Sequence, residues 1–305
     1  MSAQSTSSVV SLNQPEQQET YRSESLYSKA LRRLRRDYIT LTAMGVVLIM
    51  TILCFSAPII NQALNIDPNA TSRNAFLPMF SPGHILGTDD AGRDQLARLL
   101  VAGQVSLTIG FVGAFIALTI GLIFGMISGY FGGIVDDIMS WVITTVDSIP
   151  SLYLLILIAA IFKPDATSLI FAIALISWTG VTRIIRGQTF GIRDLDYILS
   201  ARALGASPWR IMFVHIVPNL ISITVIVLVR AVGGLMLTEA SLSFLGLGVL
   251  PPQATWGNML TKAQSFFNLG IHLVIAPGLA ISITVLCLYV IGDGVRDAFD
   301  PTSNK

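Results

Sequence analysis

The chain has 305 residues, 53% of them hydrophobic and 12% charged, and its mean hydropathy is +0.70. This is more apolar surface than a water-soluble domain of that length buries, so the expected solvent is the bilayer. A formal net charge of +1 gives no reason to expect a nucleic-acid partner, whose phosphates demand a concentrated basic face.

In chain order, residues 1–24 are rich in Ser, Gln and Glu and read as a disordered cytoplasmic segment. Over 25–38, Leu26, Ala30, Leu34 and Tyr38 recur near helical spacing, with Arg32, Arg33, Arg35 and Arg36 between them. Such a pattern fits a basic helix lying on anionic headgroups, and equally a simple topogenic cluster. The apolar run at 39–62 is too long for a signal core and reads as a retained first span. Leu53 stands where a lipoprotein would need a small residue before Cys54. A loop at 63–102 follows. Further spans are expected near 103–129, 137–162, 167–187, 214–238 and 271–292, giving an all-α polytopic protein with six transmembrane helices.

Orientation follows from the basic residues. Arg22, Lys29 and the Arg32–Arg36 cluster precede the first span, and Arg193, Arg202 and Arg210 lie between the fourth and fifth. The positive-inside rule therefore puts both termini in the cytoplasm. The third loop has Lys163 and the fifth Lys262, while Arg73, Arg93 and Arg98 sit in the long first outer loop against the trend.

Few groups suggest chemistry. The sequence has no Walker A, H-E-x-x-H, paired C-x-x-C or G-x-S-x-G pattern. Cys54 and Cys287 lie in apolar runs and imply no disulfide framework. His84, His215 and His272 are scattered, so neither a metal site nor an enzymatic activity is expected. Gly121, Gly125 and Gly129 recur every four residues and prepare one face for close approach of another helix. Asp147 and Arg230 fall inside spans, where charge is costly and marks a cavity or a partner. They are candidates for the translocation pathway, at depths that would let them meet, and Glu239 joins them at the outer end of the fifth span. Asp147 and Asp293 differ in depth by about 15 Å at helical rise, too far for a shared-proton protease pair. A proton-coupled secondary transporter using Asp147 or Glu239 stays open. No internal repeat supports it.

The loop at about 190–213 is the most structured connection. Asp194 or Asp196 is placed to cap a helix, Gly205 to end it in the left-handed region, and Ser207 with Pro208 to start another. This predicts a rigid helix-turn-helix between two spans on the cytoplasmic side.

Here the residues acquire a family resemblance. Ala201, Gly205 and Pro218 match the spacing of the EAA loop of ABC importer permeases, although Leu199 and Ser200 stand where the general motif has Glu and Ala, and His215 and Val217 replace its Ile and Leu. The run Tyr197-Ile-Leu-Ser-Ala-Arg-Ala-Leu-Gly-Ala-Ser resembles the loop of the dipeptide, oligopeptide and nickel branch. Leu86-Gly-Thr-Asp-Asp-Ala-Gly-Arg-Asp, Glu239-Ala-Ser-Leu-Ser-Phe-Leu-Gly-Leu-Gly, Pro251-Pro, Trp256-Gly and Gly292-Asp-Gly-Val-Arg-Asp-Ala-Phe-Asp-Pro agree with it. The resemblance spans about residues 25–301.

It implies a type I ABC importer fold with the permease domain at 103–293 and a cytoplasmic tail at 294–305, in a bacterial inner membrane. The chain is similar to the second permease of such systems. The resemblance implies a heterodimer with a sister permease, two ATPase subunits, an extracytoplasmic substrate-binding protein and surrounding membrane lipids. ATP and Mg would bind the ATPases, leaving no cofactor on this chain. Tyr197, Ala201, Arg202, Gly205, Ala206, Ser207, Pro208 and Pro218 would form the ATPase-coupling loop. Peptides are the implied cargo, with nickel, a metal chelate or glutathione as alternatives within the family.

Overall fold

The computed structural model describes residues 26–162 and 165–300. The expected disordered segment, Arg22, Lys163 and the last five residues lie outside that range. Among the described residues the only regular elements are helices, beside two isolated bridges, Ser81 with His84 and Thr88 with Asp94.

Helix α1 (Leu26–Leu34) carries Lys29, Arg32 and Arg33, and Arg35 and Arg36 follow in the turn after it. Asp37 then accepts from the amides of Ile39 and Thr40 and caps α2 (Tyr38–Phe55). A short α3 (Ala57–Ala63) follows on the outer side. Asp94 caps α4 by accepting from the Ala97 amide at 2.8 Å, so α4 (Gln95–Phe131) starts eight residues before the apolar run at 103. Gln95 and Arg98 made those first turns too polar for a hydrophobic-length criterion. With 37 residues, α4 is about 55 Å long and overshoots a hydrocarbon core of about 30 Å.

The third span is not one helix. Helices α5 (Gly133–Asp147) and α6 (Ser151–Ile161) meet at 72° across Ser148, Ile149 and Pro150. Pro150 supplies no N–H and disfavours helical geometry at Ile149, so the run at 137–162 breaks there. Helix α7 (Ala166–Arg193) opens with a capping box in which Asp165 accepts from the Ser168 amide and Ser168 returns a bond to the Asp165 amide. The Ser168 hydroxyl and amide hold the Asp165 carboxyl below its usual range.

After α8 (Asp196–Ala203), α9 (Pro208–Arg210), a π-helical turn (Ile211–Ile216) and α10 (Val217–Phe244) run together as one helix. The π turn stands directly before Pro218, whose ring and missing N–H prevent the regular bond to the preceding turn. The outer connection then holds α11 (Ala263–Phe266), and α12 (His272–Phe299) returns to the inner side. Among the described residues five helices are long and apolar enough to cross a membrane, and counting the bent pair α5–α6 as one span gives six. Both ends of the described chain meet on one side, where the Arg33 guanidinium donates to the Asp300 carbonyl.

The core lies where α4 packs between α7 and α10, with α12 beside α10 and α2. The glycine strip finds its partner within the chain. A Cβ added at Gly121, Gly125 or Gly129 would lie 2.6, 2.9 or 2.6 Å from the Cβ of Val181, Ile185 or Thr189 on α7. Only a missing side chain permits that approach, so the strip is spent on an internal seam and leaves nothing for a sister subunit.

Candidate functional site

Three charged or polar groupings stand out, one at each level of the molecule. On the outer side, Trp256 is fully buried, its amide donating to Ser106 Oγ at 3.0 Å and its indole Nε1 to the Leu99 carbonyl at 2.9 Å. Beside it, Glu239 is 1% exposed and accepts from Ser243 Oγ at 2.7 Å and Ser106 Oγ at 3.4 Å. These bonds tie α4, α10 and the loop after α10 together. Glu239 is thus enclosed in the outer core and presents nothing to a passing solute in this structure. Arg93 Nε meets Asp89 at 2.7 Å, Arg98 meets the same carboxylate at 3.5 Å, and Lys262 meets Asp90 at 2.7 Å. Pairing with these acids explains how Arg93 and Arg98 are tolerated outside, against the charge trend.

At the middle level the structure separates the two charges expected to meet. Asp147, at the end of α5, is bonded by Thr179 Oγ1 at 2.9 Å and by the Arg183 guanidinium, both on α7. Arg230 on α10 pairs with Asp293 on α12 at 2.5 Å. The expectation failed on depth. Arg230 lies about 33 Å from the helix start at Pro208, whereas Asp293 lies about 9 Å from the end of α12. The α9–α10 helix therefore runs well past α12 on the cytoplasmic side, and Arg230 is lower than a span beginning at 214 would place it. All four side chains of the two pairs remain at least a third exposed.

The cytoplasmic level holds the helix-turn-helix. Neither Asp194 nor Asp196 caps α8. Leu195 occupies the cap without a side-chain bond, and Asp196 is the first helical residue. The exit is as expected: Gly205 has φ +81°, its amide donates to the Arg202 carbonyl, and the Ala206 amide donates to the Ala201 carbonyl, both at 3.0 Å. Ser207 Oγ accepts from the Arg210 amide at 3.3 Å and Pro208 opens the next helix.

One face of this element is anchored. Ile198, Ile211, Met212 and Ile216 are fully buried in a cluster with Met126 and Tyr130 of α4 and Ile185 of α7. The Arg202 guanidinium lies over the Tyr130 ring, 5.5 Å from its centroid. Asn219 Nδ2 donates to Tyr197 Oη at 3.1 Å, which ties α8 to α10. Around it, Asp136 on α5 bonds Ser128 and Arg186, and Arg193 Nη1 donates to the Gly129 carbonyl at 2.9 Å. The opposite face is bare. Leu204 is 89% exposed, and Leu195, Leu199, Trp209 and Phe213 are also exposed, with Trp209 and Phe213 stacked. Sequence reasoning found the turn but missed the anchors. Ile198 lies in the quoted loop run with no sign of its anchoring role, and the Ser128, Asp136, Arg186 cluster belongs to no motif, so only positions on converging helix ends distinguish them.

Comparison with known proteins adds to this geometry. The family described as binding-protein-dependent transport system inner membrane component matches residues 121–305. The oligopeptide transport system permease protein OppC of Escherichia coli K12 is 35% identical over 277 residues, 91% of either chain. The OppC protein of Bacillus subtilis 168 is 34% identical over 93% of this chain and 92% of its own. The glutathione transport system permease protein GsiD of Pectobacterium atrosepticum is 36% identical over 72% of this chain and 73% of its own.

Proposed function

Because this chain belongs to the binding-protein-dependent transport system inner membrane components, the non-catalytic membrane subunits of ABC transporters, we propose that it forms half of the pore of an ATP-driven importer of short peptides. A sister permease supplies the other half, two ATPase subunits bind ATP and Mg, and a binding protein delivers cargo on the outer side. Peptides are favoured because similar permeases are named for oligopeptides and for glutathione, itself a short peptide. Nickel or a metal chelate remains the alternative cargo within the wider branch.

The observation that carries the coupling role is the two-sided helix-turn-helix. Its inner face is locked to α4, α7 and α10, and its outer face offers an exposed apolar ridge led by Leu204 and Trp209. These residues stand beyond the membrane, where an apolar patch in water marks an interaction site. An ATPase cleft that holds the ridge moves the anchored face, and with it the inner ends of three spans. Tyr197, Ala201, Arg202, Gly205, Ala206, Ser207, Pro208 and Pro218 form or frame that element.

The pathway is assigned to the side bearing the α5–α6 break. Irregular backbone at membrane depth is tolerated only where it is buried in protein or lines a water-filled cavity, and Asp147 sits at the break with its side chain exposed. Arg230 with Asp293 contributes a second half-exposed pair. Both pairs present a carboxylate and a guanidinium, the groups that exchange partners with the ammonium and carboxylate of a zwitterionic peptide.

Gly205→Val tests the coupling role in the assembled transporter. Nothing lies within 4 Å of the site of an added Cβ, so the substitution strains only the left-handed turn, by about 1–2 kcal/mol. Membrane insertion and pairing with the sister permease should survive. ATP hydrolysis should stop responding to loaded binding protein. Full stimulation in this variant would remove the coupling role from the loop.

A further inference from the structure

We infer that the chain carries an inner-leaflet binding site for one anionic phospholipid, with an acyl chain between α2 and α12 and the phosphate on Arg35 and Arg36. Tyr38, Ile39, Thr42, Ala43 and Val46 of α2 face Leu286, Cys287 and Val290 of α12 across an open groove of about 410 Å³. Apart from the Thr42 hydroxyl, the Tyr38 phenol and the Cys287 thiol, the lining is hydrocarbon. The Thr42 hydroxyl is already committed to the Tyr38 carbonyl.

Position and charge select the occupant. From Tyr38 to Val46 the groove climbs about 12 Å, within the roughly 15 Å that one leaflet contributes to the hydrocarbon core. Behind the groove α2 and α12 touch, Thr40 against Gly294, so it opens to lipid and not through the protein, with its mouth at Tyr38. Arg35 and Arg36, both exposed, precede Tyr38 by three and two residues, a chain distance of at most about 11 Å. Their side chains reach the headgroup level of a lipid seated above.

Residues 29–37 hold Lys29, Arg32, Arg33, Arg35 and Arg36 against the single acid Asp37. That carboxylate is occupied in capping α2, accepting from two amides and the Thr40 hydroxyl. The end of α12 adds Arg296, Asp297 and Asp300, which leaves the mouth positive. An apolar helix of another protein would fill the groove but offer no anion to Arg35 and Arg36. A lipid phosphate satisfies both, and a basic pocket between spans on the cytoplasmic side is the arrangement that binds anionic headgroups.

The complete transporter, extracted from vesicles holding equal phosphatidylglycerol and phosphatidylethanolamine, is analysed by native mass spectrometry. The expected result is one retained phosphatidylglycerol per copy of this chain, not displaced by inorganic phosphate. Retention should fall at least tenfold in Arg35→Gln/Arg36→Gln and in Thr42→Trp, which fills the groove from an exposed position, and persist in Arg35→Lys/Arg36→Lys. Lys29, Arg32 and Arg33 keep the topogenic charge in every variant. A photo-reactive residue at position 42 gives a second readout that needs no charge change, and its adduct should be phosphatidylglycerol. Equal retention of phosphatidylethanolamine, unchanged retention in the Gln variant, or an adduct to the sister permease or to residues 1–25 would each overturn the site.

Discussion

The outer and inner ends of the molecule invert one another. Outside, a set of buried polar groups is bonded within the chain: Trp256 to Ser106 and Leu99, Glu239 to Ser106 and Ser243, Asp89 to Arg93. At the helix-turn-helix, by contrast, apolar side chains are left bare: Leu204, Trp209 and Phe213 are exposed. Exposed Leu and Ile along the spans carry no such message, since lipid covers them. The contrast is one of anchoring: Trp256 and Glu239 are bonded inside the chain, while the helix-turn-helix is held on one face and bare on the other, and bare apolar side chains such as Phe80 and Phe267 also occur in the outer loops. A mutation outside should therefore act on this chain's stability, and one inside on its dealings with partners.

The largest expected effect comes from Trp256→Ala. It empties a fully enclosed site and leaves the Leu99 carbonyl without the indole donor, a loss of about 3–5 kcal/mol by analogy with other buried aromatic truncations. The melting temperature of the purified transporter should fall markedly, and ATPase attachment to whatever remains folded should be normal. A lost attachment at unchanged melting temperature would break the contrast between the ends.

Leu204→Asp probes the other end. A residue 89% exposed contributes little to the fold, so stability should stay within about 0.5 kcal/mol. Burying a carboxylate in the ATPase cleft is strongly unfavourable, and copurification of the ATPases should drop at least tenfold. If the ATPases stayed bound and uptake continued, the exposed ridge would not be the docked face.

What the sequence disclosed was local. Gly205, Ser207 and Pro208 dictate a turn by backbone sterics alone, so the helix-turn-helix was legible before any packing was known. The glycine strip announced a close helix, but naming α7 as that helix needed the fold. Pro150 was visible, yet a criterion of apolar length runs straight through it and joins α5 to α6. Ion-pair partners were the least legible, because they depend on where helices begin and how they rotate. Nothing in the sequence singles out Arg183, which α7 brings beside Asp147, and Arg230 pairs with Asp293 because its helix starts as early as Pro208. The cap at Leu195 shows the same limit at small scale: two aspartates were available and neither was used.

The smallest expected effect concerns the middle level, where neither end's rule decides the outcome. The side chains of Asp147 and Arg183 are 36% and 60% exposed, so the surroundings set what their pairing is worth. In a wetted cavity, each charge keeps most of its hydration when the other is removed, and an exposed pair contributes about 0.2–1 kcal/mol. Against hydrocarbon, the survivor of a single substitution would stand alone, and a charge at the centre of a span costs about 2.5–3.5 kcal/mol on insertion scales. The broken backbone at Ser148, Ile149 and Pro150 favours the wet alternative, because carbonyls freed at the end of α5 need water or protein to bond. A double-mutant cycle of Asp147→Asn and Arg183→Gln on the stability of the complete transporter should then give a coupling below about 1 kcal/mol. Uptake should respond more than stability on the proposal that this pair lines the pathway. A coupling of about 3 kcal/mol, with each single variant far worse than the double, would mean that lipid or the sister permease covers the pair, and the pathway would have to be sought on another face.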